Sequence, residues 1–406
     1  MGHIDHVRNI KDKTYPIAFA FLVAHFSHHV ITAITSPLLP LIRQDLHISY
    51  AQSGIILSAF TLSYGIAQLP VGWLLHRVKS YVFIFMGIAG VGIAGLLIGL
   101  TGGFIPLVAF QLLMGLMGSG YHPTGIFFIS QTVNSEKRGK ALGIHTIGGS
   151  LSYFVSPIIA ALLASGFGWR GAFIGLSVPI IVIGLLISFL VKRYTAGTSD
   201  NGRDTSSSVD EGKEVSWFRL VVVVILSVTI GAVMGSVIGF IPLYGVDILG
   251  MNEKLAATLI AVIFSAGFWA SPLAGYISDR IGEIPMLIFA GVIAGPVVIL
   301  LTFLKSGVPF YFFMVLIGMT IFIRMPVTES YIIGELNEKV RPTVLGIYFF
   351  ASSMGGGIIT PLMGLIADES NFIDSFRIAG VFLLVVVAVC VGLLLFSFNR
   401  KKFRQI

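Results

Sequence analysis

Two adjacent stretches near the middle of the chain determine how the sequence folds. Residues 198–216 read TSDNGRDTSSSVDEGKEVS and are almost entirely polar, whereas residues 218–242 read FRLVVVVILSVTIGAVMGSVIGFIP and carry one charge. An apolar run of about 20 residues is long enough to cross the hydrocarbon core of a bilayer as a helix. The second stretch is therefore a predicted transmembrane span, and the first is a predicted flexible linker in front of it.

The composition of the whole chain agrees with a membrane location. Of its 406 residues, 55% are hydrophobic and 11% are charged, whereas a soluble domain carries about 25% charged residues. A water-soluble fold of this composition would expose large apolar patches. Composition thus excludes a disordered chain, a collagen, a disulfide scaffold and a soluble multidomain enzyme, and it leaves a polytopic membrane protein surrounded by lipid.

Twelve runs are long and apolar enough to be spans, and they must be helices because lipid cannot pair with backbone groups. The first lacks a cleavage site for a signal peptidase and is predicted to be retained. The predicted spans cover residues 15–38, 51–75, 81–100, 105–131, 141–165, 171–191, 218–242, 255–278, 285–304, 309–334, 342–367 and 377–398.

The spans divide into two sets of six. We predict an all-α membrane protein with an N-terminal six-helix bundle (1–191), a cytoplasmic linker (192–217) and a C-terminal six-helix bundle (218–406). The two halves repeat at an offset of 203 residues, which relates Asn134 to Asn337, Arg138 to Arg341, Gly143 to Gly346, Pro123 to Pro326, and Gly72 to Gly275. Parallel repeats of this kind are typical of a large class of secondary transporters.

Lysines and arginines orient the spans. Most of them lie in the connections on the side of the termini and the linker, and five lie on the other side, namely Arg43, Arg170, Lys254, Lys305 and Arg377. By the positive-inside rule, both termini and the linker are predicted to be cytoplasmic, with the protein in the cell membrane. This distribution also accounts for the net charge of +7 without any nucleic acid as a partner.

One loop motif occurs in both halves. Residues 275–282 read GYISDRIG and residues 72–79 read GWLLHRVK, with His76 in place of the aspartate. The motif resembles the Gly-x-x-x-Asp-Arg-x-Gly loop of the major facilitator superfamily, over essentially the whole length of this chain. In that family the loop makes charge contacts between the bundles that hold the outward-facing state. The gating residues that the resemblance implies are Gly72, His76, Arg77, Gly275, Asp279 and Arg280.

A second resemblance concerns spans four and five. GSGYHPT at residues 118–124 and RGKALG at residues 138–143 are similar to the fosmidomycin-resistance branch of the superfamily, whose members are exporters. In that branch a glutamate commonly follows the His-Pro pair, and here that position is Thr124. The resemblance implies drug efflux, although this chain lacks an acid that could carry protons in relatives.

Ionisable residues inside spans are the candidate site residues, since an arginine or aspartate at mid-membrane costs at least about 2.5–3.5 kcal/mol. Arg324 and Glu329 lie well inside span ten. A guanidinium suits recognition of a carboxylate or phosphonate. Five residues separate the pair, a spacing that does not place them on one helical face. The sequence leaves two interpretations open: the two residues pair and only stabilise the bundle, or they bind substrate.

Five histidines also lie within spans, all of them in the N-terminal half. His25, His28 and His29, hereafter the histidine stripe, share one helical face of span one. Histidine titrates near neutral pH, so the stripe and Glu329 are candidates for proton coupling. The repeat places Arg324 at the depth of Tyr121 and His122, where Pro123 and Pro326 are expected to loosen both helices. The predicted substrate-binding residues are Arg324, Glu329, His122, Tyr121, His145 and Tyr348.

These observations predict a monomeric secondary active transporter that moves a small organic anion or amphipathic drug-like compound by alternating access, coupled to protons, with export favoured. No nucleotide-binding loop is present, and no cofactor or enzymatic activity is expected. Two alternatives stay open. One is a transporter of a transition metal or metal chelate that uses the histidines as ligands. The other is proton-coupled uptake of an organic anion.

Overall fold

The structure is a computed structural model that describes residues 14–75, 77–196 and 215–403. It consists of membrane-length helices, which we number as spans in chain order. In the N-terminal half, span 1 comprises Thr14–Thr32 and Thr35–Leu46, and span 2 is Tyr50–Leu74. Span 3 comprises Ser80–Phe85, a π-helical turn Met86–Gly90 and Val91–Gly99. Span 4 comprises Phe104–Gly118 and Tyr121–Thr132. Spans 5 and 6 both lie within Ser135–Ala196.

The C-terminal half has the same plan. Span 7 is Trp217–Asp247, span 8 comprises Glu253–Ser265, a 3-10 turn Ala266–Phe268 and Ala270–Ile281, span 9 is Glu283–Leu301, span 10 is Val308–Glu335, span 11 is Arg341–Glu369 and span 12 is Phe372–Phe403. The helix of span 6 extends into the predicted linker as far as Ala196. Linker residues 197–214 lie outside the described residues.

A break at Gly168 divides spans 5 and 6. The apolar stretch Glu136–Thr195 has 60 residues, and a straight helix of that length would be about 90 Å long, three times the hydrocarbon thickness. Gly168 has φ 68° and ψ 174°, a conformation that glycine adopts without steric cost. A Cβ atom built on Gly175 would lie 3.8 Å from Leu163 Cδ1, so the chain turns back here. Eleven membrane-length stretches therefore form the twelve predicted spans.

The proline prediction is correct for one helix and wrong for the other. Span 4 is interrupted at Ser119 and Gly120, just before Pro123. Span 10 continues as a helix through Pro326. Pro326 leaves the carbonyl of Phe322, four residues earlier, without its usual N–H donor. A single missing bond of this kind is tolerated inside a membrane helix, so span 10 remains helical.

Each half encloses its own buried apolar core. One core is formed by residues of spans 1–6, including Phe21 and Phe173, and the other by residues of spans 7–12, including Phe240 and Phe310. The halves contact each other mainly where span 2 packs on span 11 and span 5 packs on span 8. This arrangement confirms the predicted fold of two six-helix bundles.

Twelve crossings bring the two ends of the described chain, Thr14 and Phe403, to the same side, which we call the terminal side. The opposite side, where span 1 passes to span 2 and span 7 to span 8, is the distal side. Ser36 Oγ donates to the Gly239 carbonyl at 2.9 Å. These two residues are 203 positions apart and are thus equivalent in the repeat. Equivalent residues that touch must lie near the axis relating the two halves, so spans 1 and 7 meet at this axis.

Candidate substrate-binding site

The five intramembrane histidines form one cluster in the N-terminal half, contributed by spans 1, 4 and 5. The ring centroids of His25 and His145 are 4.2 Å apart and stacked, and those of His25 and His122 are 4.9 Å apart. His29 lies 5.1 Å from His122 and His28 lies 4.7 Å from His29. The predicted stripe therefore faces spans 4 and 5 and not the lipid.

Backbone carbonyls fix the orientation of three of these rings. The Nδ1 atoms of His25, His28 and His145 lie 2.8, 2.6 and 3.0 Å from the carbonyl oxygens of His145, Gly87 and Phe21. Because a carbonyl can only accept, Nδ1 carries the proton in each pair, and Nε2 of the neutral ring is left as an acceptor. The Gly87 carbonyl belongs to the π-helical turn of span 3, a feature frequent at functional sites.

Glycines on the neighbouring spans make room for these rings. A Cβ atom at Gly149 in span 5 would lie 2.5 Å from Cε1 of His25, and one at Gly87 would lie 2.5 Å from Cβ of Tyr121. Any side chain at these positions would displace the cluster. Small residues at helix interfaces allow this close approach in membranes.

Two tyrosines complete the N-terminal part of the site. Tyr121 is fully buried and stacks on His28 with a centroid distance of 4.8 Å, so it packs against one side of the cluster. Tyr153 of span 5 lies 4.5 Å from His29 and stacks at 4.8 Å on Phe264 of span 8. The second contact crosses between the halves and connects the cluster to the C-terminal bundle.

The C-terminal part of the site is centred on Arg324. This side chain is 8% exposed, and its Nη1 donates to the Tyr348 hydroxyl at 2.9 Å and to Ser227 Oγ at 3.2 Å. Its Nε is buried and has no partner. The Thr328 hydroxyl donates to the same Ser227 oxygen at 2.8 Å. A Cβ atom at Gly231 would lie 2.7 Å from Cζ of Arg324, so glycine leaves space for the guanidinium.

Glu329 lies near this cluster but does not join it. It is half-buried, and its Oε1 is buried without a partner. None of the ion pairs between described residues joins it to Arg324. The five-residue spacing places the two side chains on different faces of span 10. Glu329 is therefore not an ion-pair partner of Arg324 among the described contacts.

The repeat relates the two parts of the site position by position. His28, Tyr121 and His145 are each 203 residues before Gly231, Arg324 and Tyr348. Position 28 contacts position 121 just as position 231 contacts position 324, and Tyr121 and His145 are neighbours just as Arg324 and Tyr348 are. The three equivalent positions thus carry two imidazoles and a phenol in the N-terminal half, and a glycine, a guanidinium and a phenol in the C-terminal half. The offset relates His28 to Gly231, whereas Ser227 corresponds to Ala24 and carries no signal in the repeat; sequence reasoning missed both residues.

The described residues of the predicted gating loops make no hydrogen bond or ion pair between the halves. Arg77 lies 3.9 Å above the Trp73 ring, and Arg280 lies 4.2 Å above the Tyr276 ring, each within its own half. His76 lies outside the described residues. Among those described, no hydrogen bond or ion pair joins Asp279 to the other half. Its role in a state closed on the terminal side stays a prediction.

Four side chains join the halves on the distal side instead, and we call them the distal clamp: Arg43, Tyr50, Asp247 and Asp368. The two carboxylate oxygens of Asp368 accept from the backbone N–H groups of Tyr50 and Ala51 at 2.7 and 2.8 Å. The Tyr50 hydroxyl donates to Asp247 at 2.9 Å, and Arg43 lies 3.6 Å from the same carboxylate. Asp368 thus binds the N–H groups that span 2 leaves unpaired at its N-terminus.

Two repeated six-helix bundles with a polar, buried site in each half define a secondary transporter fold. The family model of the Major Facilitator Superfamily matches residues 21–356 and 256–404. The chain belongs to this family. It is therefore a multi-pass membrane transporter of small molecules and not an enzyme.

Relatives with described roles cover different shares of the chain. It is 24% identical over 350 residues to the multidrug resistance protein MdtG of Yersinia enterocolitica, which covers 83% of each chain. It is 23% identical to the hexuronate transporter of Bacillus subtilis over 91% of this chain and 92% of that one. The match to a probable L-galactonate transporter of Escherichia coli reaches 33% identity, but it spans 34% of this chain and 30% of that protein.

The fold is shared with solved transporters. A bacterial homologue of the human lysosomal transporter Spinster, solved in an inward-facing and occupied conformation, superposes with a TM-score of 0.80 at 15% identity, covering 96% of this chain and 97% of that chain. These comparisons confirm the predicted superfamily and its similarity to drug-efflux members. The closer resemblance to the fosmidomycin-resistance branch stays a prediction.

Proposed function

We propose that this protein is a proton-coupled secondary transporter for small organic anions, including amphipathic compounds that carry a carboxylate or phosphonate. The observation that carries the proposal is the state of Arg324. A guanidinium buried within a span, with no carboxylate partner among the described residues and with an unpaired Nε, needs an anion to complete its contacts.

The surroundings of Arg324 suit an anionic substrate. Tyr348 and Ser227 hold Nη1 in place, so the planar fork is preorganised and little side-chain entropy is lost when a ligand binds. Alternating access requires that the anion be bound from either side. Arg324 and its partners lie on spans 7, 10 and 11, and span 7 meets span 1 at the axis between the halves, which supports a site used from both sides.

The named relatives agree with this substrate class. Hexuronate, L-galactonate and sulfoacetate, which appear in the names of three relatives, are all organic anions. Other relatives are named for multidrug resistance and for tetracenomycin C export. Export is the direction we favour. Uptake of an organic anion is the second candidate, and the sugar-acid relatives support it.

Proton coupling is assigned to the histidine cluster and Glu329. Both are buried in the bilayer region, and both carry nitrogen or oxygen atoms without a partner, namely His28 Nε2, His29 Nδ1 and Glu329 Oε1. Protonation would give each of these atoms a hydrogen to donate. A change of charge in the N-terminal half would then alter the field at the anion bound in the other half.

The proposal is tested by titrating the purified protein in lipid nanodiscs with glucuronate, L-galactonate, sulfoacetate and fosmidomycin, and with neutral galactose. We expect at least one anion to bind and galactose not to bind. Arg324→Ala removes charge-assisted hydrogen bonds of about 1.5–3 kcal/mol, so binding should weaken by about 10- to 100-fold. Arg324→Lys should keep part of the affinity, because it retains the charge without the fork.

Lys305→Ala is the matched control, since it removes a cation from an exposed distal loop. The control variant should bind as the wild type does. Wild-type affinity for the anion in Arg324→Ala would show that the substrate is held elsewhere. Proton coupling is checked separately, by uptake into proteoliposomes with and without an imposed pH gradient, and equal rates in both conditions would refute it.

A further inference from the structure

We infer that His25, His29 and His122, hereafter the triad, form a binding site for one divalent transition-metal ion, with three imidazole ligands and one open coordination position. One ring nitrogen of each lies within 4.8 Å of those of the other two. His25 and His29 are one helical turn apart on span 1, and His122 approaches from span 4. The inference rests on contacts within the N-terminal half and is independent of anion binding at Arg324.

The first argument is the orientation of the ligands. Histidines that bind a metal usually donate their second N–H to a carbonyl or carboxylate, which fixes the tautomer and raises the basicity of the ligating nitrogen. The Nδ1 atom of His25 donates to the His145 carbonyl at 2.8 Å, so its Nε2 presents a lone pair. Gly149 packs against this ring and would displace it if it carried a side chain. His25 is therefore held in the form that a metal ligand requires.

The second argument is that buried ring nitrogens of the cluster have no hydrogen-bond partner. His29 Nδ1 and, next to the triad, His28 Nε2 are buried and have no hydrogen-bond partner. His28 is 0% exposed and His29 is 8% exposed. An unpaired polar atom at such a site is costly. A neutral imidazole has one N–H and one lone pair, and in His28 the N–H is used by the Gly87 carbonyl, so Nε2 is a lone pair without a donor among the described residues. A Lewis acid bound in the cluster would satisfy lone pairs of this kind.

The ligand set selects the class of metal. Imidazole nitrogen suits Zn²⁺, Cu²⁺, Ni²⁺ and Co²⁺, whereas Mg²⁺ and Ca²⁺ prefer oxygen ligands. The cluster contains neither a thiolate nor a carboxylate among the described residues. Three neutral histidines leave the fourth coordination position open. Such a site binds an exchangeable ligand at that position, unlike a closed structural site, which has four protein ligands.

The geometry also predicts a movement on binding. Zn–N bonds of about 2.0–2.1 Å at tetrahedral angles place the ligating nitrogens about 3.3 Å apart, so distances within the triad would shorten by up to about 1.5 Å. Span 4 is interrupted at Ser119 and Gly120, directly before His122. This break lets His122 approach span 1 without moving the whole helix. His122 is also half-buried, which leaves the open coordination position accessible.

The experiment uses the full chain purified with an affinity tag that contains no histidine and treated with a chelator. Titration with Co²⁺ should give the visible ligand-field bands of a four-coordinate nitrogen site, saturating at one ion per chain, and Zn²⁺ should displace it. His25→Ala, His29→Ala and His122→Ala should each weaken binding by at least about 100-fold, the upper end of losses seen for outer-shell partners. The control is His47→Ala, which removes an exposed histidine of the distal side and should not change binding.

A second variant separates ligation from folding. His122→Cys replaces one ligand by another, so it should still bind Co²⁺ and add a thiolate-to-metal charge-transfer band, which a purely structural role could not produce. Arg324→Ala should bind Co²⁺ as the wild type does, which distinguishes failure of this site from failure of the anion site. Absence of saturable one-to-one binding in the wild type, or unchanged binding in all three alanine variants, would overturn the inference.

Discussion

Removal of the Asp368 carboxylate should open the distal side of the transporter. In the structure, this carboxylate accepts two backbone N–H groups at the N-terminus of span 2, at 2.7 and 2.8 Å. Two buried charge-assisted bonds would contribute about 3–6 kcal/mol. Asp368 is exposed, however, so water replaces part of both bonds, and carboxylates at helix N-termini contribute about 0.3–2 kcal/mol. We therefore expect Asp368→Ala to cost the distal-closed state about 1–2 kcal/mol.

That free energy corresponds to a shift of about 5- to 30-fold in the ratio of distal-open to distal-closed molecules. Spin labels are placed at Gly102 and Lys305, which occupy equivalent distal positions of the two halves. In double electron–electron resonance, a larger share of molecules should show a long distance between the two labels. Labels at Glu136 and Lys339 on the terminal side should move closer together. The single native cysteine, Cys390, is replaced by serine in all samples.

Glu369→Ala is the matched control, because this neighbouring acid makes no hydrogen bond or ion pair to another described residue. The control should keep the wild-type distance distribution. If Asp368→Ala changes the population ratio by less than about twofold, the distal clamp does not hold the closed state, and packing of span 2 on span 11 must suffice.

Three further predictions concern the site and the opposite gate. Gly231→Ala should weaken anion binding without removing a charge, because the new Cβ would lie 2.7 Å from Cζ of Arg324. Isothermal titration calorimetry measures the affinity, and an unchanged value would show that the guanidinium is free to move. Single alanine substitutions in the histidine stripe should change the dependence of transport on pH, because imidazole can gain and lose a proton. Identical pH–rate curves for all three variants would mean that the stripe carries no protons. Asp279→Ala should shift the equilibrium away from the state closed on the terminal side, as measured with the Glu136 and Lys339 labels; an unchanged ratio would show that the GYISDRIG loop is not a latch.

The sequence by itself determined the fold. Each span is specified locally, since about 20 apolar residues in lipid have no stable alternative to a helix. The offset of 203 residues is likewise visible without coordinates, and it correctly relates Tyr121 to Arg324 and His145 to Tyr348. The break at Gly168 matches the predicted gap between residues 165 and 171. Length, hydropathy and repetition are properties of the chain alone, so they could be predicted.

Tertiary structure alone decided which polar groups meet. The sequence left open whether Arg324 pairs with Glu329, and in the structure its partners are instead Ser227, 97 residues away, and Tyr348. The carbonyls that orient the histidines belong to residues as distant as His145, 120 positions from His25. The distal clamp was not foreseen, because Asp368 and Tyr50 are separated by 318 residues and neither carries a motif. Helical periodicity gives the face on which a side chain lies, whereas its partner depends on which helix packs there and at what depth.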